Sequence, residues 1–230
     1  MSIKDVLIGS ISAQRLYRGE TLLWERSRLP SGYKEVEYIE STGTQYINTG
    51  FKPTIYTSIE TVFSTKQSSS DTNLFGSRIR GNLYNSNDYT VWVNTSNGKG
   101  IACHFPTRGD TSIDTKWVYK GNIIDTPTKL LITPENIKVN DALVYTFSGT
   151  RIEYEPALNA YMFAKNQGGG VNLPGKFRVY YFQIYDNAEL VRDFIPCYHK
   201  ADGEIGMYDM VNDVFYTNAG TGAFSRGPDV

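Results

Sequence analysis

Hydrophobic and polar residues alternate along much of this chain with a period of two, the pattern of half-buried β-strands. In residues 55–63, one face of such a strand would carry Ile55, Thr57, Ile59, Thr61 and Phe63. Turn-forming residues separate the short runs, and no run has the period of a long helix. The pattern predicts an all-β fold class with roughly a dozen strands.

Two runs, residues 161–164 and 177–185, are apolar on both faces and are predicted to lie in the middle of a sheet. Turn signals at Asp186-Asn187-Ala188, Asp202-Gly203 and Asn212-Asp213 separate the last runs and indicate a closing meander. The predicted architecture is a β-sandwich of two packed sheets.

The first 28 residues read as a separate small β unit. A strand before the turn at Arg18-Gly19-Glu20 and a returning strand over residues 21–25 predict a hairpin. A hairpin of this size is marginal alone, so its apolar residues need a partner. We therefore predict an N-terminal unit for attachment or oligomerisation at residues 1–28, followed by a sandwich domain at residues 29–230.

Charge and hydropathy exclude several function classes. The net charge is −1 and 20% of the residues are charged, so no global field attracts nucleic acid or an anionic membrane. No run approaches the ~18 apolar residues of a membrane span, and the first residues lack a signal-peptide pattern. The sequence predicts no nucleic-acid partner, no membrane insertion and synthesis in a cytoplasm. Cys103 and Cys197 are expected to be buried and structural, with a disulfide left open.

Catalytic patterns are weak. Glycoside hydrolysis needs two carboxylates about 5–9.5 Å apart, and the nearest candidate pair is Glu153 and Glu155, beside an expected strand edge. His104 and His199 lie near no nucleophile motif, and Gly-x-Ser-x-Gly is absent. We predict that the protein is not an enzyme and has no cofactor. Calcium stays open, because oxygen-rich clusters that are not diagnostic occur at Asn85, Asn87 and Asp88 and at Asp110 and Asp114.

A saccharide site would combine exposed aromatic rings with fork-shaped polar groups. Residues 78–89 have that mixture, and Trp92 alternates with two valines, so it would face away from the core. The competing interpretation is that the tryptophans cover core edges. The candidate ligand-binding residues are Arg78, Arg80, Tyr84, Asn87, Tyr89, Trp92 and Trp117.

Two segments bracket the main body. The first is GYKEVEYIESTGTQYINTG at residues 32–50, and the second runs from residue 177 to 224 and includes YYFQIYD, LVRDFIPC, GMYD and FYTNAGTG. Together they resemble bacteriophage and prophage virion proteins with a concanavalin A-like, or laminin G-like, β-sandwich, over about residues 30–226.

The resemblance implies a concanavalin A-like jelly roll and a virion location, in a fibre, a tail or a head decoration. It implies other virion proteins as partners and a homo-oligomer, with a trimer as the first expectation. Our leading hypothesis is that the sandwich faces outward and contacts a host-surface glycan, although a lectin-like shape does not by itself confer binding. It carries over no functional residue, because the matching segments look structural. The alternatives are a carbohydrate-binding module without a virion role and a glycan-cleaving enzyme.

Overall fold

The computed structural model describes residues 7–8, 11–12, 15–18, 21–25, 28–66, 70–79, 88–96, 98–104, 107–108, 117–147, 150–151, 153–155 and 157–230. Every regular element in these residues is a strand, and they contain no helix. The predicted all-β fold class is therefore confirmed.

The strands of the first half are, in chain order, β1 (Leu7–Ile8), β2 (Ile11–Ser12), β3 (Arg15–Arg18), β4 (Thr21–Glu25), β5 (Tyr33–Glu35), β6 (Ile39–Glu40), β7 (Ile47–Asn48), β8 (Thr57–Thr65), β9 (Thr72–Arg78), β10 (Asp88–Val93), β11 (Ile101–His104) and β12 (Thr107–Arg108). Those of the second half are β13 (Trp117–Tyr119), β14 (Thr128–Ile132), β15 (Asn136–Val139), β16 (Ala142–Thr146), β17 (Thr150–Arg151), β18 (Tyr161–Met162), β19 (Lys165–Gln167), β20 (Gly170–Asn172), β21 (Phe177–Asp186), β22 (Glu189–His199), β23 (Ile205–Asp209), β24 (Val214–Tyr216) and β25 (Ser225–Arg226).

The larger sheet is antiparallel, with the order β16-β15-β14-β8-β21-β22-β23-β24. Strand β5 pairs with β22, and β6 pairs with both β21 and β25. At its centre β8 pairs with β21 along the whole of β8. Residues Thr57, Ile59, Thr61 and Phe63 of β8 are buried and the residues between them are half-buried, which confirms the predicted alternation from residue 57 to 63. Ile55, which the prediction placed on the same face, lies in the turn before the strand and is half-buried.

The smaller sheet has the order β13-β11-β10-β9-β18-β7, and β19 pairs with β9 in parallel and with β20. A β-bulge interrupts the pairing of β9 with β10, because Val91 lies opposite Phe75 while Trp92 lies opposite Asn73. Leu74 is the extra residue, and both Leu74 and Phe75 are buried in the core. The bulge therefore lets two successive side chains of β9 pack inward.

One hydrophobic core lies between the two sheets, so the molecule is a β-sandwich. The ring of Phe75 from the smaller sheet lies 5.0 Å from that of Phe182 in the larger sheet. Burying each such ring stabilises the fold by about 1.5–3 kcal/mol. The largest fully buried side chains include Phe63, Phe75, Phe163, Phe177, Phe182, Phe194 and Tyr89.

The two segments that bracket the sequence meet in space. The backbone N–H of Ala219 donates to the carbonyl of Tyr46 at 2.9 Å, and that of Thr221 donates to the carbonyl of Thr44 at 3.3 Å. The side-chain oxygen of Asn218 accepts from the N–H of Tyr46 at 3.2 Å and from that of Gly220 at 2.8 Å. These contacts join the start of the sandwich to its end, so the bracketing segments are structural.

A second, smaller hydrophobic cluster lies on the outer face of the larger sheet, and its buried members are Leu29, Ile195, Cys197 and Tyr208. The ring of Tyr33 packs 4.8 Å from Tyr208 and 5.0 Å from Phe215. Arg28 forms an ion pair with Asp193 on the same face. The chain that follows the N-terminal unit therefore enters the sandwich on the outer face of the larger sheet.

The N-terminal strands pair among themselves. Strand β1 pairs with β2, and β3 pairs with β4, where Leu16 lies opposite Trp24 and Tyr17 opposite Leu22. In the described residues neither pair joins a sandwich sheet. The domain division after residue 28 stays a prediction, as does the concanavalin A-like type of the sandwich.

We searched the described residues for a helix long and apolar enough to cross a membrane and found none.

We predict that Asn218→Leu lowers the free energy of unfolding by about 1–3 kcal/mol, because the variant loses two accepted hydrogen bonds and the bond that Nδ2 donates to the carbonyl of Gly222. Asn218→Asp keeps both acceptors and should lose less than half as much. Urea denaturation of both variants measures this. Equal losses would show that the accepted bonds to Tyr46 and Gly220 do not hold the two segments together.

Candidate functional site

The candidate site lies on the outer face of the smaller sheet, where strand alternation positions its side chains. In β10, Tyr89, Val91 and Val93 pack in the core. The alternate residues Thr90 and Trp92 therefore point to the opposite face. The prediction that Trp92 faces away from the core is confirmed.

Two indole rings lie on this face. Trp92 lies opposite Ala102 of β11, and Ala102 lies opposite Trp117 of β13, so the tryptophans flank a small residue two strands apart. Strand spacing places their backbones about 10 Å from each other. Both side chains are half-buried. Tyr119, two positions after Trp117, packs against the core.

A lysine ammonium lies near each indole ring. Lys99 Nζ is 5.2 Å from the centre of the Trp117 ring, and it is also 3.4 Å from Asp71 Oδ1. Lys165 Nζ is 5.6 Å from the centre of the Trp92 ring, and Lys165 is only 2% exposed. Both distances fall within the range of a cation–π interaction.

The next row across this face runs through His104, Thr90, Gly76 and Tyr161, which lie opposite one another in successive strands. Gly76 is required there, because its φ is +154° and a Cβ would lie 2.4 Å from the carbonyl oxygen of Tyr89. The ring of Tyr161 stacks on Tyr46 at 4.6 Å, and burial raises the pKa of the Tyr161 hydroxyl. This face of the smaller sheet therefore carries tryptophan rings at one side, the Tyr161 and Tyr46 rings at the other, and polar residues between them.

Several buried polar atoms at this site make no hydrogen bond within the described part of the chain. They are Asn73 Oδ1, Asn73 Nδ2, Thr90 Oγ1 and Trp92 Nε1. Asn73 and Thr90 are fully buried. A buried polar group without a partner destabilises a fold by about 1–3 kcal/mol, so such a cluster needs a physical explanation.

The predicted glycan-binding residues divide into three groups. Trp92 and Trp117 lie together, and Arg78 lies at the end of β9 opposite Asp88. Tyr89 is a correction, because it is 1% exposed in the core with its ring 5.9 Å from Phe75, and no surface ligand reaches it. The remaining predictions lie outside the described residues, namely Arg80, Tyr84 and Asn87.

Sequence reasoning missed Asn73, Thr90 and Lys165. Thr90 is two positions from Trp92, so the same alternation predicts that it faces away from the core. Asn73 faces outward because of a bulge that the sequence does not reveal. Lys165 follows an apolar run, and its place beside Trp92 depends on long-range pairing of β19 with β9.

A shallow cleft of about 270 Å³ lies at the end of β11 and β13, where Lys99 contributes to its wall. Three of its nine lining residues are glycines, and Lys120 adds a second basic group. It is lined by Thr95, Gly98, Lys99, Gly100, Lys120, Gly121, Asn122, Ile123 and Ile124.

The described geometry does not bring the predicted catalytic candidates, two glutamates and two histidines, into one site. Glu153 and Glu155 are exposed in a loop, and Tyr154 between them donates a hydrogen bond to the carbonyl of Pro53 at 2.9 Å. His199 Nδ1 lies 3.0 Å from Asp202 Oδ1 on the outer side of the larger sheet. His104 lies on the outer side of the smaller sheet, with the sandwich between the two histidines.

Among the described residues, no group of three or more His, Cys, Asp or Glu side chains is arranged to hold a metal ion. The oxygen-rich clusters that left calcium open lie outside those residues, apart from the backbone of Asp88. Calcium therefore stays an open question for this chain.

Both cysteines are free and buried. Cys103 lies in the main core and Cys197 in the smaller cluster on the outer face of the larger sheet. Burial raises the pKa of both thiols, that of Cys197 to about 12. The expectation of two buried structural cysteines is confirmed.

No protein-family model matches this chain, and no curated protein matches it.

We predict that neither thiol reacts with a disulfide reagent at pH 8 in the native protein. The thiolate is the nucleophile, and a raised pKa leaves both groups protonated at that pH. After unfolding in guanidinium chloride, both cysteines of each chain should react at once, as their pKa values return to about 8.5. Rapid labelling of either thiol before unfolding would contradict its burial.

Proposed function

We propose that this protein is a non-enzymatic structural component of a bacteriophage or prophage particle, in a fibre, a tail or a head decoration. A concanavalin A-like jelly roll would present a glycan-binding face to the host surface. The sequence segments that resemble virion proteins support the assignment, because they join the two ends of the sandwich and so belong to its framework.

The single observation that carries the binding function is the placement of Trp92 and Trp117 side by side on an outer sheet face. Indole rings cover the apolar C–H face of a sugar ring, and nearby polar groups fix its orientation. Lys99 and Lys165 lie beside the rings, and Asn73 and Thr90 supply unpaired polar atoms on the same face.

The entry point of the chain supports an attachment role for residues 1–28. Arg28 and Leu29 contact the outer face of the larger sheet, whereas the tryptophans lie on the outer face of the smaller sheet. The two outer faces of a sandwich point in opposite directions. A particle protein bound through the N-terminal unit would therefore leave the tryptophan face free for a host glycan.

A carbohydrate-binding module without a virion role is the second candidate, since the tryptophan face favours saccharide binding in either context. The N-terminal unit discriminates the two, because only a virion component needs residues 1–28 to assemble.

We predict selective binding of the purified full chain to a subset of bacterial surface polysaccharides on a glycan array. Trp92→Ala and Trp117→Ala should each weaken that binding roughly tenfold or more, about 1.4 kcal/mol. Tyr56→Ala, which removes an exposed ring (45% exposed) from a distant turn, should leave binding unchanged. Parallel arrays with calcium and with a chelator test the calcium question. Absence of binding in both conditions would refute glycan adhesion.

We also predict that the full chain is a homo-oligomer, with a trimer expected, and that removing residues 1–28 reduces its size. Symmetric assembly is common among particle components, and the N-terminal hairpins join neither sandwich sheet in the described residues. Light scattering of both forms measures this. A monomeric full chain would count against the virion assignment and favour the isolated binding module.

A further inference from the structure

We propose that Asn73, Thr90 and Trp92 form the polar floor of a saccharide subsite, and that its ligand is a neutral pyranose residue with vicinal hydroxyl groups. The inference rests on the proposed glycan-binding function and adds the chemical class of the ligand. It is carried by the unpaired polar atoms of these three residues, which the rest of the fold does not explain.

The three residues lie together because of strand register. Trp92 is opposite Asn73 across β10 and β9, and Thr90 is two positions from Trp92 on the same face of β10. Opposed residues have Cα atoms about 4.5–5.5 Å apart, and residues two apart on a strand are separated by about 7 Å. The cluster therefore matches the width of a single sugar ring.

Packing keeps the groups on this face. Val91 and Val93 anchor β10 in the core, and the bulge at Leu74 turns Asn73 outward. Gly76 leaves room directly beside Thr90, where a Cβ would lie 2.8 Å from its Cγ2. The floor is thus built from regular strands rather than from mobile loops, which favours a preorganised site.

The donors and acceptors of these three side chains indicate which class of ligand would pair with them. The Asn73 carboxamide offers both N–H donors and an oxygen acceptor, the Trp92 indole offers one donor, and the Thr90 hydroxyl both donates and accepts. A carboxylate or phosphate only accepts, so it would leave Asn73 Oδ1 unpaired and facing negative charge. An apolar ligand would leave every group unpaired.

Two adjacent hydroxyl groups satisfy this set. One hydroxyl donates to Asn73 Oδ1, its neighbour accepts from Asn73 Nδ2 and donates to Thr90 Oγ1, and either oxygen accepts from Trp92 Nε1. These atoms are closed to water in the present conformation, so entry requires the side chains above them, including Lys165 over Trp92, to turn aside.

The probe is an array of purified bacterial surface polysaccharides, each printed intact and after periodate oxidation and borohydride reduction. Periodate cleaves the carbon–carbon bond between vicinal hydroxyls to two aldehydes, and borohydride reduces these to alcohols. The polymer loses its vicinal diols without gaining charge. We expect binding to intact polysaccharides and at least tenfold weaker binding to the treated copies.

Thr90→Val tests the floor directly, because it replaces an unpaired buried hydroxyl by a methyl group of the same shape. We expect at least tenfold weaker binding with an unchanged Tm, or a Tm raised by roughly 2–4 °C. Thr61→Val is the matched control, since Thr61 is equally buried but donates to the carbonyl of Tyr181 at 2.6 Å. The control should lower Tm and leave affinity within about twofold.

Trp92→Phe keeps an aromatic ring and removes the indole N–H, so it provides a second variant should Thr90→Val fold poorly. We expect at least tenfold weaker binding from it as well.

Four outcomes are decisive. Loss of binding on periodate treatment and in either variant supports the subsite. In a second outcome, binding survives periodate treatment and both substitutions but is lost in Trp117→Ala. That result would overturn the proposal of a vicinal-diol ligand and would still support glycan adhesion. Unchanged affinity with a lowered Tm for Thr90→Val overturns the subsite, because the hydroxyl would then be structural. Absence of binding to every polysaccharide overturns both proposals.

Discussion

The strand register around β10 is the constraint on which both the core and the candidate site depend. Because successive side chains point to opposite faces, packing Tyr89, Val91 and Val93 inward forces Thr90 and Trp92 outward. A slip of one residue would bury the tryptophan and expose the valines, and the burial of three apolar side chains opposes it by several times ~1.5 kcal/mol. The large core therefore fixes the outer face without any contact that is specific to a ligand.

The two outer faces of the sandwich are completed in different ways. On the larger sheet, the chain's own segment supplies Leu29 and Tyr33, which close a small hydrophobic cluster over Ile195 and Tyr208. Beyond that cluster, polar side chains pair with each other, as where Tyr181 donates to Glu60 at 2.9 Å. On the smaller sheet, in the described residues, Asn73 and Thr90 are buried without such partners. Among the described residues the larger sheet has one such atom, Asn136 Oδ1, so the cluster of unpaired atoms lies on the smaller sheet.

How much the sequence revealed depends on whether local alternation or long-range pairing decides a residue's position. The core face of β8 and the outward direction of Trp92 follow from a period of two, and both predictions are confirmed. The prediction that Tyr89 binds the ligand is wrong, because the same alternation places its ring in the core. Asn73 depends on a bulge and Lys165 on a parallel pairing with β9, neither of which leaves a local signal.

A fold of this kind specifies a scaffold rather than a function, so the argument for binding must come from the site. An apolar or internally paired set of residues at positions 73, 90 and 92 would make the sandwich more stable, since each unpaired buried group destabilises it by about 1–3 kcal/mol. The extensive core can tolerate that loss, whereas folding alone gives no reason for it. Groups that weaken the folded state and lie beside two aromatic rings are best explained by a ligand that pairs with them, because binding recovers the hydrogen bonds that folding leaves unmade.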